Sequence, residues 1–240
     1  MITTLVNERL ICLALTATSK EEVFQEMAAM LAGDGRISDR KQFVADLWAR
    51  EEIDNTGFEQ GIALPHAKSA AVVNPAVAVG ISRQGIAYGA EDGQPSHLFF
   101  MIASPTNGAN HHVEVLAELS SRLIEEGFID RLLACDTPAQ ALALFQEGKR
   151  EQKAAVPADQ GFLIGVTGCP TGVAHTYLAA EALEQAAAEL GYAIKVETNG
   201  SIGVRNSPTE QEIREAKAII VACDRQVDLA RFAGKPVVQT

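Results

Sequence analysis

The stretch FLIGVTGCPTGVAHTYLAAEAL, residues 162–183, decides how the second half of this chain is read. Residues 162–166 form an unbroken apolar run, the pattern of a strand buried on both faces. Thr167 and Gly168 close it. Small and turn-forming residues follow from 169 to 176, and an Ala-rich helix begins near 173–176. A strand, a tight turn and a helix start aim backbone N–H groups, and the positive end of the helix dipole, at one point. Cys169 stands at the opening of that turn. A thiol in such a field loses its proton more readily than a free thiol, whose pKa is about 8.5. A thiolate beside an anion-sized hole is a nucleophile suited to accept a phosphoryl group. The plainer reading of any free cysteine is a small buried hydrophobe. Cys12, Cys135 and Cys223 receive that reading, Cys223 as the last residue of a second apolar run, AIIVAC.

Beyond this stretch the pattern continues as strand, helix and strand. The helix from about residue 173 to 190 ends at Gly191, and 193–197 is a strand. Residues 199–206 read as a loop. Ser207-Pro208-Thr209-Glu210 reads as a helix start, with a cap, Pro at the first helical position and Glu three residues on. Residues 218–223 are a third strand and 235–238 a candidate fourth. Such alternation predicts a smaller parallel-sheet α/β domain with helices on its faces. Loops at the carboxyl ends of its strands carry ligands, and Cys169 lies at one.

Working back, residues 147–160, EGKREQKAAVPADQ, are polar and aperiodic and read as an interdomain linker. Before it, residues 2–18 are expected to open with a strand. Ser19 to Glu22 is a capping box, and Val23, Met27, Met30 and Leu31 give a helical stripe. Asp39 caps a second helix with Phe43, Leu47 and Trp48 inside, ending at Arg50-Glu51-Glu52. GIALPHAKS, residues 61–69, predicts a short strand entering a rigid Pro-His turn. His66 would be held at a fixed position there, as an imidazole neutral at pH 7, since its reference pKa is about 6.5. A satisfied structural histidine is the competing reading. Residues 76–81 and 97–103 are strands. His111-His112 opens a helix with Leu116, Leu119 and Leu123 buried; either histidine could face a phosphoryl group, or be an exposed cap. One more helix starts at Asp136-Thr137-Pro138.

Composition bounds the partners. The chain has 240 residues, enough for two domains, with 47% apolar residues. Twenty basic against 31 acidic residues give a formal charge of −11, which argues against a nucleic-acid groove or an anionic membrane surface. No run approaches the roughly 18 apolar residues of a membrane span. The N-terminus lacks the basic start of a signal peptide. Four dispersed cysteines form no metal-binding pair and no disulfide frame. A cytoplasmic location is expected, with no cofactor and no metal.

Taken together, the two motifs resemble the fructose family of the bacterial phosphoenolpyruvate-dependent sugar phosphotransferase system. The segments RE…TGFEQGIALPHAKS and HVEVLAELSSRL resemble its enzyme IIA domain, here residues 1–146. GCPTGVAHTYLAAEAL, VETNGSIGV and DLARFAGKPV resemble its fructose-type IIB domain, residues 161–240. The resemblance implies a mixed-sheet α/β sandwich followed by the smaller α/β domain, and a phosphoryl relay between them. His66 would take phosphate from the phosphocarrier protein HPr. Cys169 would take it from His66 and pass it to a sugar, fructose first among the candidates, held by a membrane IIC permease. The chain would then work at the inner face of the membrane. His112 and Arg50 would steady the phosphoryl oxygens. The loop residues Pro170, Thr171, Gly172, Val173, Ala174, His175 and Thr176 would cradle the phosphate at Cys169. No arginine lies in that loop, so backbone N–H groups, Thr171, His175 and Thr176 have to do this work.

Transfer also calls for both reacting groups to be exposed, and a linker of this length spans on the order of 20 Å. Family members usually continue past GKPVVQT with a further helix and often a fused IIC domain, so a separate permease or a longer gene product is expected. Three rivals stand beside the relay. A cysteine-dependent phosphatase wants Arg six residues after its Cys, where this chain has His175. A regulatory module would use phosphate on His66 as a signal. A structural protein would leave both motifs inert.

Overall fold

The computed structural model describes residues 4–90, 92–107, 115, 118–119, 122–123, 125, 127–147, 160–169, 174–200 and 203–240. The chain divides into two compact units, Met1–Val115 with Glu126–Gly148, and Leu116–Glu125 with Lys149–Thr240.

The first unit contains β1 (Ile11–Cys12), α1 (Lys20–Gly33), α2 (Arg40–Glu51), β2 (Gly57–Phe58), β3 (Ile62–Ala63), β4 (His66–Ser69), β5 (Ala76–Ile86), β6 (Ser96–Pro105), α3 (Phe128–Leu133) and α4 (Pro138–Gln146). Its sheet runs β1-β5-β6-β3-β2, and β4 also pairs with β6. β5 is antiparallel to β6, whereas β3 and β4 run parallel to it. The sheet is therefore mixed, as the resemblance implies.

Successive residues of β6 point to opposite faces. Phe99, Met101 and Ala103 join the buried cluster built on Phe24, Met27 and Leu31 of α1 and Phe43 and Leu47 of α2. Phe100 meets Phe145 of α4 edge-on at 6.2 Å, and Phe145 meets Phe128 of α3 at 5.6 Å. Each such side chain contributes about 1.5–3 kcal/mol on burial, so helices on both faces hold β6 at the centre. The helix starts fall where expected. Ser19 accepts from the Glu22 N–H, Asp39 from that of Gln42, and Thr137 forms a reciprocal box with Gln140.

Two expectations for this unit change. The opening strand is only Ile11–Cys12, because a 3-10 turn, Glu8–Leu10, precedes it. His66 is not in a turn but is the first residue of β4, opposite Ile102. Pro65 has no N–H to give, yet its carbonyl accepts from Ile102 N at 2.9 Å, and this draws the chain straight into the sheet. The expected helix opening at His111-His112 lies outside the described residues. Of its apolar stripe, Leu119 and Leu123 are buried, and Leu116 lies outside the described residues.

The second unit contains β7 (Gly161–Gly168), α5 (Ala174–Glu189), β8 (Tyr192–Gly200), β9 (Gly203–Arg205), α6 (Glu210–Glu215), β10 (Ala218–Cys223) and β11 (Val237–Gln239). The strand order is β11-β10-β7-β8-β9. Four of these strands are parallel, and β7 is central. Ile164 and Val166 face a core with Ile219, Val221 and Phe232. Gly165 faces the other way. A Cβ there would lie 3.1 Å from Leu183 of α5 and 3.0 Å from Val196, so glycine lets the helix approach the strand.

Here too the structure departs from expectation. The sheet is not wholly parallel, since β8 continues to Gly200 and β9 pairs back antiparallel where a loop was expected. The cap of α6 is Thr209, not Ser207. Thr209 and Glu212 bond each other's backbone N–H reciprocally, at 3.2 and 2.6 Å, and Pro208 falls before the cap. Residues 148–159 of the expected linker lie outside the described residues.

Candidate functional site

In the first unit His66 is fixed through both ring nitrogens. Nδ1 lies 2.8 Å from the Leu64 carbonyl. A carbonyl only accepts, so Nδ1 must carry the proton. Nε2 then presents its lone pair, and Arg50 donates to it from Nε at 2.9 Å. Arg50 sits in the last turn of α2 and also donates from Nη1 to the Asp54 carbonyl at 3.0 Å. The tautomer that leaves Nε2 unprotonated is thus set by backbone geometry, and a guanidinium already touches that nitrogen. Arg50 and His66 come together as expected.

The end of α2 that carries Arg50 is itself anchored. Glu51 accepts from Lys20 at 2.7 Å and from the Thr56 hydroxyl at 2.6 Å, and that hydroxyl lies 2.9 Å from the Tyr88 hydroxyl. Lys20 also lies over the Tyr88 ring, 4.2 Å from its centre. Burial, with Glu51 close by, raises the Tyr88 phenol well above its ordinary pKa. It stays a neutral hydroxyl in this network.

In the second unit Cys169 follows the last residue of β7, at the carboxyl edge of the central strand. Its N–H donates to the Thr176 hydroxyl at 3.0 Å, and that hydroxyl lies 3.3 Å from Sγ and donates to it. Thr176 belongs to the first turn of α5. The helix start therefore stands against the cysteine, as the motif predicts. His175 is half-buried on the same turn. Pro170, Thr171, Gly172 and Val173 lie outside the described residues, as does His112. Ala174 opens α5, and its side chain is outside the description.

Exposure differs from expectation at both centres. His66 is 6% exposed and Cys169 1%. Both groups are buried.

Glu197 and Cys223 lie on the two strands that flank β7. Glu197 on β8 is buried and forms a two-pronged pair with Arg231, at 2.7 and 2.5 Å, and accepts from Asn199 at 3.0 Å. Burial pushes its carboxyl up, but the bonds from Arg231 and Asn199 outweigh this and hold it below the usual carboxylate range. The partners stand 34 residues apart, a separation no local pattern reveals. Cys223 ends β10 opposite Gly168. Burial, then the nearby Asp224 and Glu197 carboxylates, push its thiol to about 11. Cys223 therefore stays protonated at neutral pH, in keeping with its inert reading.

Residues 4–148 match the family model described as phosphoenolpyruvate-dependent sugar phosphotransferase system, EIIA 2, and the chain belongs to that family. Residues 164–240 match the model of the lactose/cellobiose specific IIB subunit of the same system. The fructose-specific EIIABC component of Bacillus subtilis is 43% identical over 99% of this chain and 39% of its own length. The 2-O-alpha-mannosyl-D-glycerate-specific EIIABC component of Escherichia coli is 32% identical over 99% of this chain and 36% of its own. The chain thus spans well under half of the curated relatives it matches. Among solved structures, the nitrogen regulatory protein IIA-Ntr from Neisseria meningitidis superposes with a TM-score of 0.56. It is 26% identical, over 60% of this chain and 98% of that one.

Proposed function

We propose that the chain is a two-step phosphoryl carrier for sugar uptake. Phosphate arrives at His66 from an HPr-type phosphocarrier, moves to Cys169, and leaves for a sugar, fructose in the first instance, bound by a membrane IIC permease. The carrying observation is the line Leu64 carbonyl, His66 ring, Arg50 guanidinium, which leaves Nε2 unprotonated with a cation against it. Phosphoryl transfer needs positioning and charge neutralisation and little else. Nε2 attacks the incoming phosphorus, and the bond from phosphorus to the donor breaks. Arg50 gives up Nε2 and takes the phosphoryl oxygens, for which its fork of donors is suited.

In the second step the Cys169 thiolate forms the S–P bond as the Nε2–P bond breaks. Because Leu64 keeps the proton on Nδ1, the leaving group is a neutral imidazole and no proton has to move. The buried state of both groups means that docking of the donor, and of one unit on the other, must uncover them. His112 and the loop residues 170–176 are proposed to contribute further oxygen contacts. The division into a IIA-like part, 1–146, a linker, 147–160, and a IIB-like part, 161–240, is likewise our proposal; the family matches at 4–148 and 164–240 support it. So is a cytoplasmic place beside the permease: no helix among the described residues is long and apolar enough to cross a membrane.

The test is mass analysis after incubation with phosphorylated HPr. The wild type should carry label on both residues, His66→Ala on neither, and Cys169→Ser on His66 alone. Label on Cys169 in His66→Ala would overturn the order of transfer. A regulatory role, favoured by the likeness to the nitrogen regulatory protein, would appear as label that stays on His66 in the wild type.

A further inference from the structure

The loop that follows Cys169 holds no arginine, yet the fold brings one to it from elsewhere. Cys223, the last residue of β10, lies opposite Gly168, and the Asp224 N–H donates to the Gly168 carbonyl at 2.9 Å. The chain is thereby held at the carboxyl edge of β7 for one residue beyond the strand. Arg225 follows. Its stem lies over Gly168: a Cβ on that glycine would sit 3.2 Å from both Cγ and Cδ of Arg225. The guanidinium reaches across to the end of β8, donating from Nη1 to the Asn199 carbonyl at 3.5 Å. It therefore stands beside the residue that immediately precedes the nucleophile.

Arg205 lies within electrostatic reach of Tyr177, and the buried carboxylate nearby is already committed. Glu197 is taken by Arg231. Arg225 is exposed, and among the described residues no carboxylate pairs with it. It keeps donors to spare in a chain of net charge −11. The Tyr177 hydroxyl is buried, lacks a partner among the described residues, and lies within electrostatic reach of Cys169. An uncommitted cation over Gly168 and an orphan hydroxyl within electrostatic reach of Cys169 describe a place where an anion is to arrive. Asp224 opposes this with its own charge, and its effect is separable by Asp224→Asn.

We propose that Arg225 binds the phosphoryl group carried by Cys169, in the role that Arg50 plays for His66. The inference rests on the relay reading above. A phosphocysteine is dianionic at neutral pH, and the guanidinium offers it paired donors that backbone N–H groups alone cannot supply. Gly168 is part of the device, since any side chain there would push Arg225 aside.

The test uses the full-length chain, loaded from phosphorylated HPr, as wild type, Arg225→Ala and Arg225→Lys. Arg225→Ala should lower the rate of transfer from His66 to Cys169 about tenfold, while loading of His66 is unchanged. The phosphocysteine ³¹P signal should also titrate higher, by about half a pH unit, since a neighbouring cation favours the dianion. Arg225→Lys should recover part of both effects. A purely structural role would leave the ³¹P titration where it was. Wild-type transfer and titration in Arg225→Ala would overturn the assignment of Arg225 and leave the relay standing. If the wild type itself never labels Cys169, the relay reading fails, and this assignment with it.

Discussion

The two centres bury their reacting atoms in different ways. At His66 a cation is bonded directly to Nε2, and a backbone carbonyl fixes the proton on the other side. At Cys169 the sulfur is touched by a neutral hydroxyl from a helix start, and an arginine, Arg225, stands over the preceding glycine. The difference follows from the nucleophiles. An uncharged imidazole tolerates a guanidinium on its lone pair, and the charge is at hand when phosphate arrives. A thiolate bonded as tightly to an arginine would be held as an ion pair and blunted as a nucleophile. On our proposal, separation by one residue keeps the cation for the product rather than the reactant.

The largest effect should come from breaking the His66 side of this contrast. Arg50→Ala removes the charged donor on Nε2 and, on the proposed relay, should slow phosphorylation of His66 about 100-fold, as loss of one transition-state donor does elsewhere. Rapid-quench labelling measures it. Arg50→Lys should fall between, since one ammonium replaces a fork. An unchanged rate would mean that the contact on Nε2 only shields the ring.

Next in size is Glu197→Gln, which leaves Arg231 with half its partner. Fully buried pairs lose about 3–5 kcal/mol when broken. Arg231 is 30% exposed, so about 2 kcal/mol is expected, read as faster amide exchange in β7 and β8. The pH dependence carries a sign. The folded carboxyl titrates below its ordinary 4.5, so the unfolded chain binds the proton first. The stabilisation is present above that value and is lost as pH falls through the folded pKa. Wild type and variant should therefore converge in acid and differ at neutral pH.

Thr176→Val sharpens the Cys169 side. It deletes the hydroxyl between the Cys169 N–H and Sγ and leaves a buried donor unpaired, at a cost of about 1–3 kcal/mol. Label should still reach His66 at the normal rate but move to Cys169 more slowly. The smallest effect belongs to Tyr88→Phe, which removes one bond from the network behind Arg50. About 1 kcal/mol is expected, seen in thermal unfolding, with little change at either centre because Glu51 keeps its bonds to Lys20 and Thr56.

Much of this was legible in the chain. The apolar run before Cys169 and the helix that begins at Ala174 are local features, and the fold places them as read. Ser19, Asp39 and Thr137 cap their helices because capping is settled within four residues. His66 was legible as a fixed histidine but not as a strand residue, since only pairing with Ile102 converts the Pro-His step into β4. The cap of α6 was misplaced by two residues because Ser207 and Thr209 offer the same local chemistry, and the reciprocal bond with Glu212 chooses between them.

The amino-acid sequence by itself determined which residues are candidates to react, because Cys169 and the start of α5 lie within a few residues of each other. Only the tertiary structure decided what surrounds those atoms. Arg50 lies 16 residues from His66, and Arg225 far beyond Cys169 along the chain. Their contacts arise from strand register and helix packing, which depend on the whole sheet rather than on any local pattern. For the same reason the cover over both nucleophiles could not be read from their neighbours in sequence.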